Sequence, residues 1–121
     1  LTAGVFDVSV ANHQVNVGRN WSNAVGPAGF VERAGRVVFD GAGDTGAETF
    51  YEVELAAGIR TTSGAWTVGP AGAGTFLIMT AGEWQAGAGL THTINGTWDS
   101  SAALFTSTER TRVATTVAAA A

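Results

Sequence analysis

Apolar and polar residues alternate with a period of two over much of the chain, which marks strands with one buried face. Val8 and Val10 alternate with Asp7 and Ser9, and Val15 and Val17 with Gln14 and Asn16. Tyr51, Val53 and Leu55 alternate with Glu52 and Glu54, the clearest half-buried strand in the sequence. Leu90 and Ile94 alternate with Thr91 and Thr93, and Arg112 to Val117 reads as a closing Thr/Val strand. The short apolar runs Val37-Val38-Phe39 and Phe76-Leu77-Ile78-Met79 suit strands covered on both faces. No stretch places apolar residues at three-to-four spacing between caps, so helices are not expected. Gly26-Pro27-Ala28-Gly29, Gly41-Ala42-Gly43-Asp44 and Gly69-Pro70-Ala71-Gly72 supply the corners. The pattern predicts an all-β fold of about ten short strands.

Short, evenly spaced strands build either a sandwich or barrel, or a solenoid. The four Trp favour the solenoid. Each follows a glycine: Gly18-Arg19-Asn20-Trp21, Gly64-Ala65-Trp66, Gly82-Glu83-Trp84 and Gly96-Thr97-Trp98. The last three are 18 and 14 residues apart, close to one coil of a β-solenoid. Val15 to Ser22 also reads like His92 to Asp99, an echo offset by 77 residues. These features predict a β-solenoid, parallel β-helix-like, of about six coils, with a β-sandwich or jelly-roll as the alternative.

Longer motifs point the same way. Val17-Gly18-Arg19-Asn20-Trp21-Ser22-Asn23, Gly29-Phe30, Gly35-Arg36-Val37-Val38-Phe39-Asp40-Gly41-Ala42-Gly43 and Thr49-Phe50-Tyr51 resemble a repeat of large prokaryotic cell-surface proteins, adhesin-like in type, with a "GNWxNxGxFxxGxGxVxFxGxG…TFYNL" pattern. Thr80 to Trp84 and Ile94 to Trp98 resemble the section that leads into the next copy, so the resemblance spans most of residues 13 to 113. It implies an extended parallel β-helix acting in surface architecture or adhesion, and it carries no catalytic residue. Three places depart from the pattern: Ala47 and Glu48 before Thr49, Glu52 and Glu54 in place of an Asn-rich strand, and Ala102 with Ala103 in place of a glycine.

Composition narrows the function classes. The 121 residues include 17 Gly, 22 Ala and 16 Thr, and only 13% are charged. All six basic residues are Arg, the net charge is −4 and no basic cluster occurs, which argues against nucleic acid and against anionic membranes. Apolar runs are far shorter than the ~18 residues that span a bilayer. Without Cys, disulfides, zinc thiolates and a thiol nucleophile are excluded. The chain starts at Leu1 and ends in four Ala, which suggests a processed chain or a piece of a longer one; residues 1–121 are read as a single domain.

Few residues invite chemistry. Glu52 and Glu54, two apart on a strand, would face the same way about 6.5–7 Å apart, a span found in inverting glycosidases and equally on any solvated strand face. Asp40 and Asp44, with Glu48 nearby, flank a glycine-rich loop and are weak calcium candidates, since hard cations want six to eight oxygens. His13 and His92 share the parity of their apolar neighbours and should be partly buried. The Trp residues would suit either sugar stacking or core packing. Asn20 and Asn95 begin glycosylation sequons.

The ends, Leu1 to Val17 and Arg110 to Ala121, are β-prone and carry the candidate assembly residues Val5, Val8, Val10, Val113 and Val117. The expected function is a non-enzymatic extracellular or cell-surface structural module that stacks on copies of itself or on adjacent repeats, without a cofactor. A filament or capsid-decorating subunit and a carbohydrate-binding module are the alternatives.

Overall fold

A computed structural model of the chain describes residues 1–69, 75–102, 104–106 and 112–115. Among them are fifteen strands and one turn of 3-10 helix at Pro27–Gly29. The strands are β1 (Phe6–Asp7), β2 (Val15–Val17), β3 (Phe30–Val31), β4 (Arg36–Phe39), β5 (Gly43–Thr45), β6 (Glu48–Phe50), β7 (Glu52–Leu55) and β8 (Ile59–Thr62), followed by β9 (Trp66–Val68), β10 (Thr75–Met79), β11 (Glu83–Gln85), β12 (Thr91–Ile94), β13 (Thr97–Asp99), β14 (Leu104–Thr106) and β15 (Arg112–Thr115). Three parallel sheets run through the stack, ordered β2-β4-β7-β10-β13, β5-β8-β11-β14 and β6-β9-β12-β15, with β1 and β3 forming a separate pair. The chain is a β-solenoid of about four turns, each turn visiting the three sheets in sequence.

Glycine makes the corners between the first and second sheets. Gly58 and Gly82 both lie at positive φ, 76° and 80°, which side chains rarely adopt. A Cβ on Gly82 would strike the Gly58 carbonyl, and one on Gly58 would meet Ala42 backbone, so successive coils touch backbone to backbone here. Two positions past each of these glycines the chain points inward, at Arg60 and at Trp84, both fully buried. The pattern-based count of ten strands and six coils therefore needs correcting. Each turn holds three short strands. Val37 pairs with Val53 sixteen residues on, Val53 with Leu77 twenty-four on, and Leu77 with Trp98 twenty-one on. The 18- and 14-residue Trp spacings do not measure a coil, because Trp66, Trp84 and Trp98 sit in three different sheets. The 77-residue echo likewise sets β2 of the first sheet against β12 of the third.

Inside, side chains stack in register. Val15, Val37, Val53, Leu77 and Trp98 form one ladder, and Val17, Phe39, Leu55 and Met79 a second. Phe39, Phe50, Trp66 and Trp84 are fully buried and connect ring to ring. Phe50 meets Trp66 edge-on at 5.3 Å, and Trp66 stacks on Trp84 at 5.1 Å. Rings of this size supply most of the burial a narrow lumen can offer.

The N-terminal segment breaks the expected pattern. Val8 and Val10 are not a strand: Asp7 accepts the Ser9 amide at 2.8 Å, Ser9 Oγ accepts the Ala11 amide at 3.1 Å, and Ser9 takes φ 64°. That side-chain capping turns the chain. It sends Val8 into the core cluster, 4% exposed, and leaves Val10 83% exposed.

Candidate functional site

The acid pair is present but engaged. Glu52 and Glu54 face outward from β7, and Arg36 on the neighbouring coil reaches both, Nη2 to Glu52 at 3.0 Å and Nη1 to Glu54 at 3.4 Å. Thr80 Oγ1 also donates to Glu54 at 3.3 Å. The Glu52 hydrogen bond raises the Arg36 pKa above its ordinary value. Arg36 thus bridges the two carboxylates from the neighbouring coil.

Asp40 and Asp44 do not converge on an ion. Asp44 accepts hydroxyls from Thr61 at 2.8 Å and Ser63 at 2.5 Å, whereas Asp40 accepts the Asn16 amide at 3.4 Å. Among the described residues no three His, Asp or Glu side chains cluster as a metal site. Glu48 points elsewhere, into a buried polar knot: Oε2 accepts Trp21 Nε1 at 2.9 Å and Asn23 Nδ2 at 3.0 Å, and Oε1 the Thr49 amide at 3.1 Å.

His92 is fully buried between Trp66 and Trp84. Its Nδ1 accepts the Trp66 amide at 3.0 Å, so Nε2 carries the proton and donates to the Ala86 carbonyl at 2.6 Å. Burial lowers its pKa, with the Ala86 bond acting in the opposite sense. His13, expected to be partly buried, is exposed, because it follows the turn rather than joining β2.

Arg60 is a lumenal residue that the alternation hides. Ile59, the apolar residue of β8, is 46% exposed, whereas Arg60 is only 1% exposed. Its Nη1 donates to the Arg19 carbonyl at 2.8 Å and Nη2 to the Gly41 carbonyl at 2.7 Å, while the guanidinium lies 4.4 Å from the Phe39 ring centre. Burial lowers its pKa against the opposing pull of Asp44 and Asp40. The signal was available: Arg60 stands two past Gly58, as Trp84 stands two past Gly82.

The Trp residues do not form a platform. Trp66 and Trp84 are fully buried, and Trp98 packs edge-on against Trp84 at 5.9 Å. The two sequons differ. Asn20 is exposed, its Oδ1 accepting the Asp44 amide at 2.9 Å, whereas Asn95 is half-buried with Nδ2 donating to the Gly69 carbonyl at 2.7 Å.

The two ends of the stack are the most distinctive surfaces. Among the described residues, β13, β14 and β15 are each paired on one side only, leaving three parallel edges facing the same way. Val113 lies in β15 in register with His92, and Val117 lies outside the described residues. At the opposite end Phe6 stacks on Phe30 at 5.7 Å, and Asp7 binds Arg33 through both oxygens at 2.6 and 2.7 Å. That pairing pushes the Asp7 pKa down to about 2. Val5 stays 64% exposed. Of the N-terminal assembly candidates, Val5 and Val10 are surface residues and Val8 is committed to the core. Beside this cover lies a hollow of about 310 Å³ lined by Leu1, Phe6, Val15, Trp21 and Phe30.

No family model, curated protein or solved structure matches the chain. No helix among the described residues is long and apolar enough to cross a membrane.

Proposed function

We propose that this chain is a non-enzymatic structural module, placed outside the cell or on its surface, that extends by adding another solenoid coil to its C-terminal end. The observation that carries the reading is the row of edges β13, β14 and β15. Every interior coil satisfies its backbone by parallel pairing above and below, and these three strands lack that second partner among the described residues. Unpaired edges template further strands. The engaged state of Glu52, Glu54 and His92 supports a role without turnover. The sequence resemblance to repeats of large surface proteins supports the location.

Mass photometry and sedimentation across a wide concentration range test the proposal. The native chain should associate through this edge, and Val113→Pro, which removes an amide donor from β15, should leave it monomeric with unchanged circular dichroism. A native chain that stays monomeric at every concentration, or a folded Val113→Pro variant that associates as before, would overturn it.

A further inference from the structure

We infer that a cleft on the outer face of the β6-β9-β12-β15 sheet binds a primary ammonium group, with the Glu48 carboxylate as its counter-charge. The inference is independent of the assembly role proposed above.

The cleft holds about 210 Å³ and is built by two coils and the turn beside them. Ala47 and Thr49 at β6, and Ala65 and Thr67 at β9, line one side; Asn23 and Pro27 of the 3-10 turn line the other. Thr49 and Thr67 are register partners, so their side chains stand next to each other on the outward face. Ala47, Ala65 and Thr67 are exposed, whereas Glu48 is only 6% exposed and so lies at the bottom. It shares the inward parity of Phe50, and its carboxylate ends against Trp21 and Asn23 of the first coil.

Charge makes this cleft a site. A carboxylate so buried is costly unless a counter-charge stands beside it. Glu48 has three hydrogen bonds, all from neutral donors: Trp21 Nε1 and Asn23 Nδ2 to Oε2, and the Thr49 amide to Oε1. The ion pairs among the described residues join Asp7 to Arg33 and Arg36 to Glu52 and Glu54, and none includes Glu48. The buried guanidinium of Arg60 is held by the Arg19 and Gly41 carbonyls instead. A carboxylate offers about four acceptor positions. Three are taken, and the open one is on Oε1.

The occupant follows from size and lining. One carboxylate cannot supply the six to eight oxygens a hard cation wants, and no three His, Asp or Glu side chains gather among the described residues. The space suits a short alkyl chain ending in an ammonium, a compact charge with three donors. The ammonium would meet Oε1 and the Thr49 and Thr67 hydroxyls, with Pro27, Ala47 and Ala65 flanking the methylenes. The chain has no Lys, so a side chain of a second copy cannot supply the group. Its source is a lysine of another protein or a free alkylamine.

Titrating the full chain with n-butylammonium chloride, while following the Trp21 indole N–H resonance, tests the inference. Trp21 bonds the same carboxylate, so its resonance should move saturably, with a dissociation constant on the order of 1 mM. n-Butanol and sodium chloride, which match the stem and the ionic strength, should leave it in place. Glu48→Gln keeps an acceptor for Trp21 but loses the charge, and should weaken binding about tenfold or more. Thr67→Lys, at an exposed position, brings an ammonium into the cleft from within and should weaken binding of the added amine to a similar degree; it decides the matter if Glu48→Gln fails to fold. A native resonance that butylammonium does not move overturns the inference, as does a response that butanol or salt reproduces. So does a folded Glu48→Gln or Thr67→Lys variant that binds like the native chain. Calcium chloride moving the resonance at lower concentration overturns it in favour of a metal. A Gly-Lys-Gly peptide with blocked ends separates the two sources: tighter binding than butylammonium supports a partner's lysine, and equal or weaker binding supports a free alkylamine.

Discussion

The coil interior and the N-terminal segment 1–13 are built from similar residues and reach opposite outcomes. Val53 and Leu55 in β7 are buried almost completely, whereas Val5 and Val10 are among the most exposed apolar side chains in the molecule. Local alternation does not separate them. What separates them is neighbours: β7 has β4 on one side and β10 on the other, while β1 has a two-residue partner on one side. Burial in a solenoid is a property of the stack, supplied by the coils above and below. A segment that alternates but lacks two neighbours becomes a cover rather than a core.

The largest test of that difference pairs two aromatic truncations. Trp66→Ala should cost about 3–5 kcal/mol, because it empties the centre of a packed lumen that cannot collapse around the loss. Phe6→Ala should cost about 1 kcal/mol, roughly half the burial value of a phenyl ring, since Phe6 is already partly in solvent. Urea midpoints for the two variants check this. Equal losses would mean that the N-terminal segment is as much a part of the core as the middle coils.

The same contrast explains how much could be read from residues alone. The period-two run over Tyr51 to Leu55 suffices for β7, and the apolar run Val37 to Phe39 suffices for a strand covered on both faces. Both describe residues with neighbours on each side. Val8 to Val10 fails because Asp7, Ser9 and Asn12 carry turn chemistry, and Ser9 and Asn12 both adopt positive φ. Arg60 is missed because alternation has no origin of its own, and the corner glycine two residues earlier supplies it. The coil count is missed because Trp spacing mixes corner lengths with sheet identity. The candidate acid pair is visible at Glu52 and Glu54, but the arginine that joins them comes from another coil, sixteen residues upstream of Glu52. The buried knot of Glu48, Trp21 and Asn23 spans more than twenty residues and leaves no local trace.

Glycine offers the second test. Gly82 and Gly4 share nearly the same φ, 80° and 78°, so the backbone strain from adding a side chain is alike. Only Gly82 has backbone in the way; nothing lies within 4 Å of a Cβ on Gly4. Gly4→Ala should therefore cost about 1 kcal/mol, the left-handed penalty alone. Gly82→Ala should cost about 2–3 kcal/mol, because the Gly58 corner must move as well. The difference between the two measured losses isolates the coil-to-coil contact. No difference would show that corner contact contributes nothing beyond backbone conformation.

Histidine gives the smallest effect and the clearest sign. His92 is neutral in the fold, with Nδ1 held as an acceptor by the Trp66 amide and no charged side chain among its hydrogen-bonding or ring neighbours. Its folded pKa lies below the ordinary 6.5. The unfolded chain therefore takes up a proton first as pH falls. The stability His92 contributes is complete above about pH 6.5 and is lost progressively as pH drops toward the lowered folded value. Protonation would also set an Nδ1–H against the Trp66 N–H, converting a hydrogen bond between adjacent coils into a repulsion. His92→Gln keeps an acceptor and a donor but cannot ionise, so its urea midpoint should fall less than that of the native chain between pH 7 and about pH 5.5, a window above most carboxylate titration. His13→Gln, in the exposed segment, controls for simple removal of an imidazole. Parallel midpoint curves for native and His92→Gln would mean that the lumen admits a charge at this position, and that the coil holding β12 is not packed as tightly as its rings indicate.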